Sequence, residues 1–267
     1  MTLTTSLAMN IAAVVLYLCG SAYLISSALH KQASHSQWLM SFALTALCFH
    51  GVGSYQTMFT PDGLNLGIYK VGALIFWVIN LLVLISGLRK PLHTLFIFLF
   101  PLSAFAILMA TFSADGVITK VDKAILAHIL LSVLAYSLLI IATLQALLLA
   151  FQNYQLKHKH PTGIVRILPP LQTMEALFFE LLWTGQLLLT LSIVTGFIFI
   201  ENLFAQQLAH KTVLSMLAWC IYAILLWGHA RLGWRGNTAI RWALGGFAAL
   251  MLAYFGSKFV IEVLLNS

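Results

Sequence analysis

The chain has 267 residues, of which 61% are hydrophobic and 8% charged, with 14 Lys and Arg against 7 Asp and Glu and a net charge of +7. Soluble domains carry about 25% charged residues, so a water-soluble enzyme, a nucleic-acid-binding domain and a disordered chain are excluded. A mean hydropathy of +0.96 and long apolar blocks describe a polytopic membrane protein, and a basic excess spread over short loops reads as membrane topology, not as a nucleic-acid surface.

A helix needs about 20 apolar residues to cross about 30 Å of hydrocarbon, and eight stretches qualify. They run near Leu3–Leu29, Trp38–Tyr55, Leu66–Leu88, Leu92–Thr111, Ala124–Phe151, Ala176–Ile200, Thr212–His229 and Trp242–Leu265. Barrel strands would be shorter and would alternate. The first stretch lacks a basic leader and is too long for a signal-peptide core, so it reads as a retained span. In the third, Asn80 is expected to make an interhelical hydrogen bond. The fourth contains Pro91 and Pro101, and Pro101 is expected to kink it. The fifth places His128, Ser132, Ala135 and Tyr136 on one side, facing the bundle interior. Pro169 and Pro170 precede the sixth, with Thr173 as the expected N-cap and Glu175 and Glu180 near the positive helix end. Small residues, Gly185, Ser192 and Gly196 in the sixth and Gly245, Gly246, Ala249, Ala253, Gly256 and Ser257 in the eighth, mark close helix contacts. Lys258 and Glu262 make a simple i,i+4 pair.

The expected fold is therefore all-α: one transmembrane domain over residues 1–267, a bundle of eight transmembrane helices with its longest loop at 152–175. Lys31, Arg89, Lys90, Lys157, Lys159, Arg166, Arg231, Arg235 and Arg241 fall in the odd-numbered loops, and Lys70, Lys120, Lys123 and Lys211 in the even ones. That bias puts the 152–175 loop in the cytoplasm and both termini on the periplasmic side of a bacterial inner membrane.

Cys19, Cys48 and Cys220 all lie in apolar stretches and are expected to pack as small hydrophobes. There is no C-x-x-C pair and no C-x-x-C-H haem-attachment motif. Nor is there a metalloprotease, nucleophile-elbow, Walker or dinucleotide motif.

Histidine is the informative residue. His30, His35, His93, His158, His160 and His210 sit in loops or at helix ends, where a solvated or interfacial side chain is the simple reading, and the Lys157–His160 run looks like a lipid-headgroup face. His50, His128 and His229 lie near the ends of apolar helices, where an ionisable group is costly and suggests function. The expected topology puts His50 and His128 in the outer leaflet, at the ends of spans two and five, and His229 almost a membrane thickness away. Neutral imidazoles from separate helices can take the axial positions of a haem iron, with Phe49, Tyr55, Phe59, Tyr136, Trp219 and Tyr222 as candidate packing aromatics. The other reading is that His50 and His128 hydrogen-bond helix partners or a loop carbonyl, and spacing alone does not decide between the two.

Three stretches carry a family resemblance: AHILLSVLAYSLLIIATLQALLLA (Ala127–Ala150), LPPLQTMEALFFELLWTGQLLLTLSIVTG (Leu168–Gly196), and the pair LLWGHARLGWRG (Leu225–Gly236) and AYFGS (Ala253–Ser257). A histidine-glycine pair at His50 followed by GLNLGIYKVGALIFW extends it more loosely toward the N-terminus. The chain resembles the cytochrome c assembly superfamily of CcsA and CcmC, its YpjD/HemX-like branch most closely. The resemblance implies a haem-handling membrane protein in which His128 matches the family's external haem-binding histidine and His50 the histidine before the third span of chloroplast-type members. Trp227 stands where synthase-type members have a membrane histidine and His229 two residues beyond, so both are secondary candidates. The tryptophan-rich attachment segment is missing, since that region reads IENLFAQQLAHKTVLSM, and so is a second external histidine after the last span. The resemblance thus implies the fold and haem handling, not a haem-attaching synthase.

Two functions are carried forward. In the first, the chain holds haem b through His50 and His128 as a carrier, assembly factor or sensor, without catalysis of its own. In the second, it is a haem-free HemX-like partner that regulates the abundance or assembly of another membrane or cytoplasmic protein, with the cytoplasmic loop as docking surface. A permease has no mid-membrane charge or broken-helix pair to support it. Membrane lipid is an expected partner in any case, and nucleic acid is not.

Overall fold

The computed structural model describes residues 2–29, 36–88, 93–114, 116, 118–158, 168–199 and 209–256. These form α1 (Thr2–Leu29), α2 (Ser36–Met58), β1 (Phe59–Thr60), β2 (Gly63–Asn65), α3 (Ile68–Gly87), α4 (Phe96–Phe112), β3 (Ile118–Thr119), α5 (Lys123–Lys157), α6 (Leu171–Phe199), α7 (Ala209–Leu232) and α8 (Gly236–Met251). A short 3-10 turn precedes α4, and a π-helical turn, Leu252–Gly256, follows α8. One helix falls on each of the eight apolar stretches. Six of them, α1, α3, α5, α6, α7 and α8 with its π turn, are long and apolar enough to cross a membrane. The other two fall short for different reasons. The 17 residues of α4 rise only about 26 Å at 1.5 Å each, and α2 is long enough but carries Ser41, Thr45, His50, Ser54, Gln56 and Thr57 among its apolar residues.

Two expectations at the ends of α5 and α6 are corrected. At 35 residues, α5 rises about 52 Å and continues through Lys157, so the first part of the 152–175 loop is helical; residues 159–167 lie outside the described set. Thr173 does not cap α6. The prolines set the start, because the Pro170 carbonyl accepts the first helical bond from the Met174 N–H at 3.1 Å, leaving Thr173 inside the first turn. Pro101 lies inside α4. Pro91, His30, His35, His160, Lys258 and Glu262 lie outside the described residues.

The fold is not purely helical. The strands pair antiparallel in the order β1-β2-β3, with Phe59 opposite Leu64 and Leu64 opposite Thr119. Thr60-Pro61-Asp62-Gly63 makes the first hairpin turn: proline and aspartate favour the bend, Gly63 takes φ +144°, and the Thr60 hydroxyl donates to the Gly63 carbonyl at 2.7 Å. Asn65, fully buried, fastens the sheet, its side-chain oxygen accepting from the N–H groups of Gly67 and Gly116 at 3.2 Å each.

The helices divide into two compact units, α1–α4 with the sheet and α5–α8. In the first, α1 packs on α2 and α4, and α3 on the same two helices. Asn10 donates to Thr111 at 3.0 Å, and Asn80 reaches Ser103 at 2.6 Å, the interhelical bond expected of it. The Trp77 indole donates to the Leu47 carbonyl at 2.9 Å.

In the second unit α5 packs on α6 and α8, and α7 on α6 and α8. The first pair is antiparallel, for His128 meets Ser192 at one end while Gln145 and Gln152 donate to the carbonyls of Met174 and Pro169 at the other. Gly185 takes the Leu139 side chain and Gly246 the ring of Tyr222, so the small-residue stripes do bring helices together. The cysteines do not sit in the core: all three are free and exposed. In a membrane helix the outward face is apolar too, and a small thiol suits it equally.

The last stripe generates a sharp test on neighbouring residues. A Cβ at Gly246 would lie 2.8 Å from the Tyr222 ring, whereas one at Gly245 meets nothing within 4 Å. Gly246→Ala is expected to cost about 1–3 kcal/mol by overpacking, and Gly245→Ala to be neutral or stabilising by up to about 1 kcal/mol. Thermal unfolding of both variants in one detergent measures the difference.

Candidate functional site

The three membrane histidines occupy three different environments. His128 lies in the second turn of α5, a helix whose start is fixed by Asp122, with the carboxylate accepting from the Ile125 N–H at 2.8 Å. Its Nδ1 stands 2.9 Å from the Ser192 carbonyl and 3.2 Å from the Thr195 hydroxyl. A carbonyl can only accept, so Nδ1 carries the proton and the neutral ring leaves a lone pair on Nε2. Ser132 braces the pair, donating to the His128 carbonyl at 2.8 Å and lying 2.7 Å from the Ser192 hydroxyl. Gly196 lets α6 come close, since a Cβ there would stand 3.1 Å from the imidazole Cε1. The ring is only half-buried, and its Nε2 makes no hydrogen bond among the described residues. An imidazole held through Nδ1–H by a backbone carbonyl, with Nε2 bare, is the usual state of a metal-binding histidine.

His50, in the other unit, is completely buried. Its Nδ1 shares a hydrogen bond of 3.3 Å with the Tyr17 hydroxyl, and the two rings meet edge to face at 5.8 Å. Tyr17 is itself fully buried against Phe100. Nε2 is buried with no hydrogen-bond partner among the described residues. Where the tyrosine accepts from Nδ1, Nε2 holds a lone pair; where it donates, Nε2 holds a proton. The donor chemistry fits an iron ligand in the first tautomer.

His229, near the end of α7, donates from Nδ1 to the Trp234 carbonyl at 2.9 Å and stacks on Phe179 with centroids 3.4 Å apart. Phe179 and Ser192 are about 20 Å apart along α6 at 1.5 Å per residue, so within this unit His128 and His229 lie toward opposite ends, as expected from their placement in the sequence. Trp227 is 58% exposed and stands on the outside of α7. His158 donates to the Tyr154 carbonyl at 2.8 Å, a local contact at the end of α5.

Of the candidate aromatics, Tyr55 and Phe59 stack on each other in the first unit, both exposed. In the second, Tyr136 and Tyr222 are buried core, and the Trp219 indole donates to Thr190 at 2.8 Å. No group of three or more metal-ligating side chains occurs among the described residues, so any bound iron would depend on single imidazoles and its own macrocycle.

Sequence reasoning missed the site roles of five residues. Ser192, Thr195 and Gly196 form one i, i+3, i+4 face opposite His128, a spacing visible in S-I-V-T-G. Tyr17 left no signal, because its partner is 33 residues away. Glu175 looked like a charge for its own helix, yet its carboxylate accepts from the Gly236 N–H at 3.0 Å and so caps α8.

A family model described as Cytochrome C assembly protein matches residues 66–265, a segment that includes His128 and His229 and leaves His50 outside. The Inner membrane protein YpjD of Escherichia coli K12 is 34% identical over 257 residues, which is 94% of this chain and 97% of that protein. Protein HemX of Brevibacillus brevis is 25% identical over 183 residues, 64% of this chain and 67% of that one. No solved structure matches. With six long apolar helices and an inner-membrane relative matched over nearly its whole length, the chain is a multi-pass bacterial inner-membrane protein, and it belongs to the cytochrome c assembly protein family.

Proposed function

We propose that this protein binds haem b in the membrane and acts as a haem carrier, assembly factor or sensor. The observation that carries the reading is the state of His128: its Nδ1–H is fixed by the Ser192 carbonyl, and its Nε2 lone pair has no partner among the described residues. Such a nitrogen is oriented and basic before any ligand arrives. His50 is the second candidate ligand: its Nδ1 pairs with the Tyr17 hydroxyl, and its Nε2 is buried with no hydrogen-bond partner among the described residues. Bound haem would supply a redox-active iron; the chain's part is to hold and orient it.

No catalysis is assigned to the chain alone. The sequence between α6 and α7 lacks the tryptophan-rich segment that the family resemblance ties to haem attachment. That same lack favours the second reading, a haem-free membrane partner of another protein, which a haem-free preparation would leave standing.

The orientation belongs to the same proposal: eight spans, with α2 and α4 crossing as well as the six longer helices, and both termini periplasmic. Phosphatase fused at the C-terminus is expected to be active and a fluorescent protein at the same point dark; the opposite pair of results contradicts the topology.

The haem reading is tested by the visible spectrum of the intact protein purified in mild detergent from haem-replete cells. A Soret band is expected in the wild type, lost or strongly reduced in His128→Ala and retained in His229→Ala, with His50→Ala tested separately. A wild type without the band removes the haem function. A band lost in His229→Ala and kept in His128→Ala moves the site to the other end of α6.

A further inference from the structure

The α5–α8 unit holds a second site that the haem reading does not use. A cavity of about 700 Å³ lies beside the first turns of α6, walled by Glu175, Glu180, Trp183 and Thr184 of that helix, His229 at the end of α7, and Arg235 in the turn before α8. It holds two carboxylates on one helix and one guanidinium on the facing turn. His229 adds an acceptor: its Nδ1–H is spent on the Trp234 carbonyl, so Nε2 presents a lone pair.

The length of α6 sets the depth of this groove. From Leu181 to Phe199 the helix carries no charged side chain, and this part alone rises about 28 Å, which fills the roughly 30 Å hydrocarbon layer. The preceding ten residues, with Glu175 and Glu180, therefore stand at headgroup level, and Trp183 marks the boundary, as interfacial tryptophans do. Beyond it Leu187, Leu191, Val194 and Ile198 are all exposed at helical spacing, so an apolar track leads directly out of the polar groove.

We propose that this groove binds the headgroup of a zwitterionic phospholipid bearing a primary ammonium, with its acyl chain along the α6 track. Arg235 takes the phosphate. Glu175, Glu180 and the His229 Nε2 surround the ammonium, whose three N–H groups need three acceptors; a carboxylate accepts several bonds at once, so Glu175 receives this one while capping α8. A quaternary ammonium has no N–H to give and leaves these acceptors unpaired. An anionic headgroup meets two carboxylates for one guanidinium.

The test is a lipid titration of the delipidated, full-length protein in detergent, read by native mass spectrometry. Phosphatidylethanolamine, phosphatidylcholine and phosphatidylglycerol with identical acyl chains are compared. Phosphatidylethanolamine is expected to bind at least tenfold more tightly than the other two. Glu180→Gln and Arg235→Gln, both at exposed positions, are expected to reduce it to the phosphatidylcholine level without moving the lipid-free melting temperature. Equal affinity for phosphatidylethanolamine and phosphatidylcholine in the wild type overturns the proposal with no variant needed. So does tighter binding of phosphatidylglycerol, or a preference that survives both substitutions.

Discussion

A polar side chain in a bilayer has no water to turn to, so every hydroxyl, amide and imidazole must find its partner within the protein. Much of this chain's side-chain chemistry is an answer to that constraint. Ser103, Thr111, Ser132, Thr143, Thr184, Thr190 and Thr195 each donate to the carbonyl one turn back on their own helix, which satisfies the hydroxyl without a second helix. Longer side chains are used between helices: Gln145 and Gln152 tie α5 to α6, and Gln186 and Trp219 tie α6 to α7. Asn80, Gln152 and Gln186 bond through nitrogen and leave only the carbonyl oxygen unmatched, the less costly kind of orphan.

Against that background the histidine nitrogens stand apart. The fold spends a backbone carbonyl, a threonine and a glycine to hold the His128 ring by one edge and leaves the other edge bare. A merely structural histidine of a helix pair would be satisfied through both nitrogens or turned to the interface. The same unit repeats the device at its other end, where His229 is held by the Trp234 carbonyl and the Phe179 face. The two ends differ in what surrounds them. The ring of His128 is packed against hydroxyls and a glycine with no charge among its partners, which suits a neutral macrocycle ligand. The His229 cavity contains two carboxylates and a guanidinium, which suits a dipolar headgroup.

The helices were legible because hydrophobic length is the dominant signal in a membrane chain, and among the described residues each of the eight apolar stretches carries a helix. The interior face of α5 was legible too, since His128, Ser132, Ala135 and Tyr136 repeat at helical spacing. What escaped was set by contacts remote in sequence or by turns of a few residues. Pro61-Asp62-Gly63 does announce a hairpin, but two- and three-residue strands have no periodicity to read. Thr173 has the chemistry of a cap, yet Pro170 begins the helix before it. The cysteines were assigned to the core by a rule learned from soluble proteins, whose outward faces are polar. The pairing of Tyr17 with His50 and of Glu175 with Gly236 could be known only from the packed chain.

The central claim is that His128 is a neutral imidazole, protonated at Nδ1 and bare at Nε2, before it meets a ligand. Nitrogen-15 NMR of the histidine-labelled protein tests it directly, with the His128 signals identified by their loss in His128→Ala. The account predicts a protonated Nδ1 and an unprotonated Nε2 whose signal shifts or broadens when haem is added. A proton on Nε2, or an Nε2 signal that haem leaves unchanged, would contradict it.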